Sequence, residues 1–197
     1  MTIELWAARL ERPLEPEEIL RLLPLLPPER QERLLRLRPE KRGEPLCAWL
    51  LLRLALRESR GWRELPAVAL TESGKPWFPD HLEVQFNLSH TDGAVLVGLS
   101  EKPVGVDIER IRPVNPRLLE QMEAHRETDF FQTWVRREAC VKLSGQGVGA
   151  MLHREPPLKP GVFCRKVETF PGYAACAAVQ DGTIPESVRI CSMEELL

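Results

Sequence analysis

The chain has 197 residues, with 27 Lys and Arg against 29 Asp and Glu, for a formal charge of −2. That length holds one domain, or two small halves packed together, with enough chain for a substantial core. The near-zero charge excludes broad, sequence-independent nucleic-acid binding, which needs an excess of cations to displace counterions. A content of 43% hydrophobic and 28% charged residues excludes a disordered chain. Proline is abundant at 18 residues, which predicts short elements and abrupt turns. Five cysteines (Cys47, Cys140, Cys164, Cys176, Cys191) are scattered, odd in number and without a Cys-x-x-Cys pair. That pattern is neither a disulfide framework nor a zinc site, and it suits a reducing cytoplasm. The start, MTIELWAARLERPLEPEE, carries acids early and lacks the apolar stretch of a signal peptide. The longest apolar run, Leu46 to Leu52, stops at Arg53, far short of the ~20 residues that span a bilayer. The sequence therefore predicts no membrane association and no nucleic-acid partner.

In chain order, Ile3 to Ala8 alternates loosely and predicts a strand. Two short helices follow, Pro16 to Leu23 and Pro28 to Arg38, each opened by a proline whose missing N–H costs nothing there. The second carries Arg30, Arg33, Arg36 and Arg38. Pro45 to Arg57 is apolar on most faces, the mark of a buried central helix ended near Gly61. Val68 to Leu70 is a short strand, and Thr71 to Asp80 reads as turns. Three strands then come in quick succession: Val84 to Leu88, Ala94 to Leu99 and Val104 to Ile111. Their separators, SHTDG and SEKP, are short enough for hairpins. Residues 112–127 are polar and give no clear pattern, after which Thr128 or Asp129 caps a helix to about Ser144. Val162 to Val167, Tyr173 to Val179 and Val188 to Ser192 complete the strands. Helices and strands in separate runs make the class α+β.

Four stretches carry residues suited to chemistry. In Gly105-Val-Asp107-Ile-Glu109, strand alternation puts Asp107 and Glu109 on one face, about 7 Å apart. Their repulsion would be relieved by a divalent cation such as Mg²⁺, but a half-exposed strand with two solvated acids fits the same pattern. In Trp134-Val-Arg-Arg-Glu138-Ala-Cys-Val-Lys142, four-residue steps align Trp134, Glu138 and Lys142 on one helix face. That alignment offers a base and a phosphate clamp, or an ordinary surface ion pair. Phe86-Asn-Leu-Ser89-His90 ends a strand at a turn, where Ser89 and His90 could bond an anion or His90 could be structural. A serine hydrolase would need a Gly-x-Ser-x-Gly elbow, which is lacking here. Gly74-Lys75-Pro76 presents one cation on a stiff turn.

Taken together and in this order, the four stretches resemble the 4′-phosphopantetheinyl transferases of the Sfp type. The resemblance extends to ERPLEPEE, Pro28-Glu29-Arg30, Pro171-Gly-Tyr and Met193-Glu-Glu-Leu-Leu. It implies an α+β pseudo-dimer of two similar halves in one chain, an N-terminal half over 1–102 on the nucleotide side and a C-terminal half over 103–197 on the metal and catalytic side. It implies transfer of the phosphopantetheine arm of coenzyme A to a serine of an apo acyl or peptidyl carrier protein, with Mg²⁺ and release of adenosine 3′,5′-bisphosphate. By the same resemblance Gly74, Lys75 and Pro76 line the adenine and its phosphates, and Ser89 and His90 hold the 3′-phosphate. Arg30 and Arg33 join this coenzyme A side. Asp107, Glu109 and Glu138 match the metal ligands, Lys142 the pyrophosphate contact, and Glu138 the base. Asp107 thereby also belongs to the coenzyme-binding set. Two departures stand out. An arginine usual in the first central helix is missing, with Arg42 as its substitute, and the stretch between Glu109 and Trp134 is short for the type. The short stretch leaves a catalytically weak homologue that binds coenzyme A or carrier protein as the alternative. Fused halves supply both walls of a cleft, so the expected state is a monomer.

Overall fold

The computed structural model describes residues 2–145 and 159–197. It opens with β1 (Glu4–Arg9), α1 (Pro16–Leu22), α2 (Pro28–Leu35) and α3 (Gly43–Arg60). The small hairpin of β2 (Ala69–Leu70) and β3 (Pro76–Trp77) precedes β4 (Gln85–Thr91), β5 (Ala94–Ser100) and β6 (Val104–Arg110). Then come α4 (Pro116–Gln121), α5 (Glu127–Ser144), β7 (Val162–Lys166), β8 (Tyr173–Gln180), β9 (Arg189–Cys191) and α6 (Met193–Leu196). The mixture is α+β, as expected. No helix among the described residues is long and apolar enough to cross a membrane.

The strands form one four-stranded sheet, ordered β4-β5-β1-β9, and one three-stranded sheet, ordered β6-β8-β7. Their layers follow from strand alternation, because successive side chains leave opposite faces. On the first sheet Trp6, Ala8, Val95 and Val97 turn to α3 and build one core. On the opposite face Leu5, Ala7 and Leu96 meet Val106, Ile108, Ala177 and Val179 of the second sheet in another. The far face of the second sheet, Ala174, Cys176 and Ala178, packs on Phe131, Val135 and Ala139 of α5. The order is helix, sheet, sheet, helix. This is why β5 is buried at every position: it has a packed layer on both sides.

The two long helices are each 18 residues and each stop at a glycine with positive φ, Gly61 and Gly145. That backbone region is open to glycine at little cost. The helix predicted over Pro45 to Arg57 is longer at both ends, since Pro45 falls within the first turn, where proline is tolerated. The helix predicted to Arg38 ends sooner, at Leu35. Near its end, Arg42 donates from Nε to the Leu37 carbonyl (3.0 Å) and from Nη2 to the Leu35 carbonyl (2.8 Å). Three elements went unread in the sequence: β3, inside the stretch read as turns, and the short helices α4 and α6. The last carries a capping box between Ser192 and Glu195.

One expected hairpin is absent. β4 and β5 do pair through the two-residue turn Asp92-Gly93. The SEKP stretch instead carries the chain out of the first sheet, and β6 pairs with β8. β6 crosses the face of β5 at Gly98, where an added Cβ would stand 2.7 Å from Val106 Cγ1 and 3.0 Å from Val104 Cγ2. The far end of the chain makes the reverse crossing. β9 joins the first sheet parallel to β1, Trp6 opposite Arg189, and Met193 and Leu196 enter the α3 core.

α5 sits directly on β6 at Gly105. A Cβ there would lie 2.0 Å from the Ala139 carbonyl oxygen and 2.6 Å from the Leu143 nitrogen, both backbone atoms that cannot swing away. Gly105→Ala is therefore expected to destabilise by about 1–3 kcal/mol through overpacking. Gly43→Ala, whose nearest neighbours lie 3.9 Å off, should change stability by less than about 0.5 kcal/mol. Urea unfolding of the two variants checks the contrast, and comparable losses would refute it.

Candidate active site

The motif residues gather where β4 meets the edge of β6. Three alternate side chains of β4 act as rungs. Asn87 Oδ1 accepts the Val106 N–H (2.9 Å), Ser89 Oγ that of Ile108 (3.3 Å) and Thr91 Oγ1 that of Arg110 (3.3 Å). The two hydroxyls also donate: Ser89 to Asp107 Oδ1 at 2.7 Å, and Thr91 to Glu109 Oε2 at 3.0 Å. The sequence placed Ser89 and His90 in a loop at a strand end. They lie inside β4, which runs on to Thr91.

Asp107 is almost wholly buried. Lys142 Nζ donates to its Oδ1 at 2.7 Å and to Ser89 Oγ at 3.1 Å, and stands 3.5 Å from Glu138 Oε1. Ser89 thus donates once and accepts twice, which fills its hydroxyl. Asp107 Oδ2 is buried without a partner. Burial pushes the Asp107 carboxyl up to about 6, and Glu138 adds to this, while Lys142 and the Ser89 hydroxyl oppose it. Glu109 is held at Oε2 by Arg112 as well as Thr91, and the Arg112 guanidinium lies over the Phe131 ring. Trp134 shares the helix with Glu138 and Lys142 and stacks on Phe130, anchoring that end of α5.

The three expected metal ligands do not come together as a set. Among the described residues no three His, Cys, Asp or Glu side chains gather closely enough to hold a metal ion. The physical reason is that Lys142 stands between Asp107 and Glu138, while Thr91 and Arg112 hold Glu109. The donors themselves suit a hard divalent cation: all are carboxylate oxygens, and one of them, Asp107 Oδ2, is an orphaned buried oxygen.

His90 projects from the opposite face of β4, into a cavity of about 650 Å³ also lined by Arg30, Arg33, Lys41, Gly74 and Pro76. Arg30 is buried, its guanidinium 5.6 Å over the Trp49 ring and its Nε without a partner. Desolvation, then Arg33, lowers its pKa. His90 is also lowered, by desolvation first and Lys142 second. Three expected contacts differ. Ser89 faces the acids and not this cavity, because strand alternation separates it from His90. Lys75 turns its ammonium onto the Val104 carbonyl (3.0 Å), lines a separate cavity of about 420 Å³, and is lowered to about 8 by burial. Arg42 is turned onto the end of α2, and its neighbour Lys41 lines this cavity instead. Sequence alone could not choose between neighbours Lys41 and Arg42, since the choice depends on how the short 3₁₀ turn over Pro39–Lys41 presents them.

Comparison with known proteins agrees with the motif series. No family model matches the chain. It is 28% identical over 155 residues to the 4′-phosphopantetheinyl transferase Sfp of Bacillus subtilis, covering 64% of this chain and 68% of that protein. Over 152 residues it is 34% identical to the 4′-phosphopantetheinyl transferase psf-1 of Bacillus pumilus, covering 64% and 65%. The chain is similar in sequence to these 4′-phosphopantetheinyl transferases. A third relative, AcpT of Salmonella typhimurium, is 37% identical over 120 residues, 53% of this chain and 62% of that transferase.

The raised pKa of Asp107 fixes a sign for stability. Its folded value, about 6, exceeds the ordinary 3.8, so ionisation costs stability as pH rises through that window. In metal-free protein Asp107→Asn is expected to melt at an equal or higher temperature near neutral pH and to flatten the decline across that window. A sharply lower melting temperature at neutral pH would show that the Lys142 pairing outweighs desolvation.

Proposed function

We propose that this chain transfers the 4′-phosphopantetheine arm of coenzyme A to a serine of an apo acyl or peptidyl carrier protein, releasing adenosine 3′,5′-bisphosphate. The observation that carries this is Arg30: a buried guanidinium with an unpartnered Nε on the wall of an open cavity, beside Arg33, Lys41 and His90. Such a group wants a multiply charged anion. The opposite face of the same strand meets the acids and Lys142, so a phosphate-rich ligand bound there lies next to groups that can move a proton. Arg30, Arg33, Lys41 and His90 bind the phosphates remote from the reaction, with Gly74 and Pro76 flanking the base. Lys142 leaves Asp107 for the pyrophosphate, and Glu138 takes the proton of the carrier serine as its oxygen attacks phosphorus and the bond to adenosine bisphosphate breaks.

Mg²⁺ belongs to this reading: Asp107, Glu109 and Glu138 would hold it once Lys142 has moved to the pyrophosphate, and the orphaned Asp107 oxygen supports this. Bound there, it would neutralise the pyrophosphate and polarise the phosphorus. The two helix-on-sheet units, with matching 18-residue helices ended by glycine, support a pseudo-dimer divided near residues 102–103, with β9 and α6 crossing back to the first unit. Both walls of the cleft in one chain are the ground for a monomer, and scattered cysteines without a Cys-x-x-Cys pair suit a reducing cytoplasm. Mass spectrometry of an apo carrier protein incubated with coenzyme A, Mg²⁺ and this chain tests the function. A gain of the phosphopantetheine mass supports it, and coenzyme A binding without any gain overturns it in favour of a binding homologue.

Two substitution experiments examine the cavity. Arg30→Met keeps an apolar stem over Trp49 and removes a desolvated charge, so coenzyme A affinity should fall at least tenfold while unliganded stability holds or rises. Calorimetry and thermal melts read the two effects, and a loss of both would make Arg30 structural. Lys41→Ala should weaken coenzyme A about tenfold, whereas Arg42→Ala should lower stability and leave affinity unchanged. The reverse pattern in the same two assays would return the phosphate contact to Arg42.

A further inference from the structure

The acids on β6 are held in one repeated way. Asp107 receives a β4 hydroxyl, Ser89, and a cation, Lys142, on a single oxygen, Oδ1, and its Oδ2 is left without a partner. Glu109 receives a β4 hydroxyl, Thr91, and a cation, Arg112, on a single oxygen, Oε2. Among the described residues no hydrogen bond reaches its Oε1. Each hydroxyl is itself fixed, because it accepts the N–H of the residue following the acid, Ile108 or Arg110. A hydroxyl that accepts from a backbone N–H has its remaining hydrogen aimed, and here it is aimed at one carboxylate oxygen each time.

We propose that Ser89 and Thr91 are positioning residues, each pinning one oxygen of its acid so that the other is presented to a divalent cation. This rests on the reading of Asp107 and Glu109 as cation ligands. It assigns Ser89 to the acids in place of the nucleotide. It also gives a role to Thr91, which neither the motif series nor composition marks out. Strand geometry supplies the logic: the pairs 89 with 107 and 91 with 109 both lie two residues apart on strands held in register by the rungs. Asn87 is the built-in comparison, a rung of the same kind that accepts the Val106 N–H and has no acid to hold.

The test uses Mn²⁺ alone as probe, its free concentration read by electron paramagnetic resonance in titrations of the full chain. Thr91→Val removes the aimed hydrogen at nearly constant volume and should weaken Mn²⁺ at least threefold, and Thr91→Ser should restore it. Asn87→Ala is expected to lower the melting temperature and leave Mn²⁺ affinity within twofold of the parent. In carrier modification, Thr91→Val should lower kcat with little change in KM for coenzyme A. Equal Mn²⁺ affinity for parent and Thr91→Val, or an equal loss in Asn87→Ala, overturns the positioning role while the transferase reading stands. A parent that binds no Mn²⁺ overturns the cation-ligand reading and this proposal with it. Because Thr91→Ser keeps both hydrogen bonds, misfolding of Thr91→Val alone does not blunt the test. Failure of Thr91→Ser to restore affinity also counts against the proposal.

Discussion

A strand that leaves its sheet must still satisfy its backbone, and the molecule is organised around how β6 does so. One edge of β6 pairs with β8, and on the other Asn87, Ser89 and Thr91 lend their side-chain oxygens to the N–H groups of Val106, Ile108 and Arg110. Buried backbone donors left unpaired would be costly, so these three residues hold the second sheet against the first in a fixed register. The register brings the acids of β6 under the hydroxyls of β4, and α5, seated on Gly105, brings Lys142 and Glu138 to the same point. The joint between the sheets and the candidate site are the same structure.

Charge is handled in opposite ways on the two faces of β4. On the acid side, a buried carboxylate has an ammonium and a hydroxyl on one oxygen and no partner on the other. On the cavity side, a buried guanidinium is left with an aromatic ring and an unpartnered nitrogen. A partnered carboxylate fixes the geometry of the site in the absence of ligand at a cost in stability, while an uncompensated cation keeps binding energy in reserve for an anion. Lys142 reaches across this division electrostatically, since it contributes to the lowered pKa of His90.

Much of the fold was legible because burial leaves a direct trace in sequence. The all-round apolar character of Leu46 to Leu52 announced a central helix, and the alternation around Asp107 and Glu109 correctly put both acids on one face of a strand. The helical spacing of Glu138 and Lys142 likewise survived, with the two side chains 3.5 Å apart. What escaped depends on relations that spacing does not encode. The SEKP stretch has the length of a hairpin, and only the packing of Val104 and Val106 over Gly98 turns it into a change of sheet. Ser89 was legible as a polar residue but not as one facing the acids, because the face that Ser89 takes depends on the position of β6. Lys41 and Arg42 are chemically alike, and the carbonyls exposed at the end of α2 decide which of them is drawn off.

The parallel pairing of β9 with β1 joins residues near opposite ends of the described chain, Trp6 with Arg189. During synthesis the amino-terminal strands and α3 leave the ribosome long before β9 and α6 exist, so the first sheet waits with the β1 edge open and part of its core uncovered. Contacts of such large sequence separation are slow to form, since the intervening chain must be ordered before they bring any gain. Until then, β1 offers an unpaired edge of the kind that strands of other nascent chains can join. Arg189, stacked on Trp6 and bridged to Glu58 and Glu195, closes that edge once it arrives. The segment that takes no part in the candidate chemistry is thereby the one that ends the interval in which the nascent chain is open to aggregation.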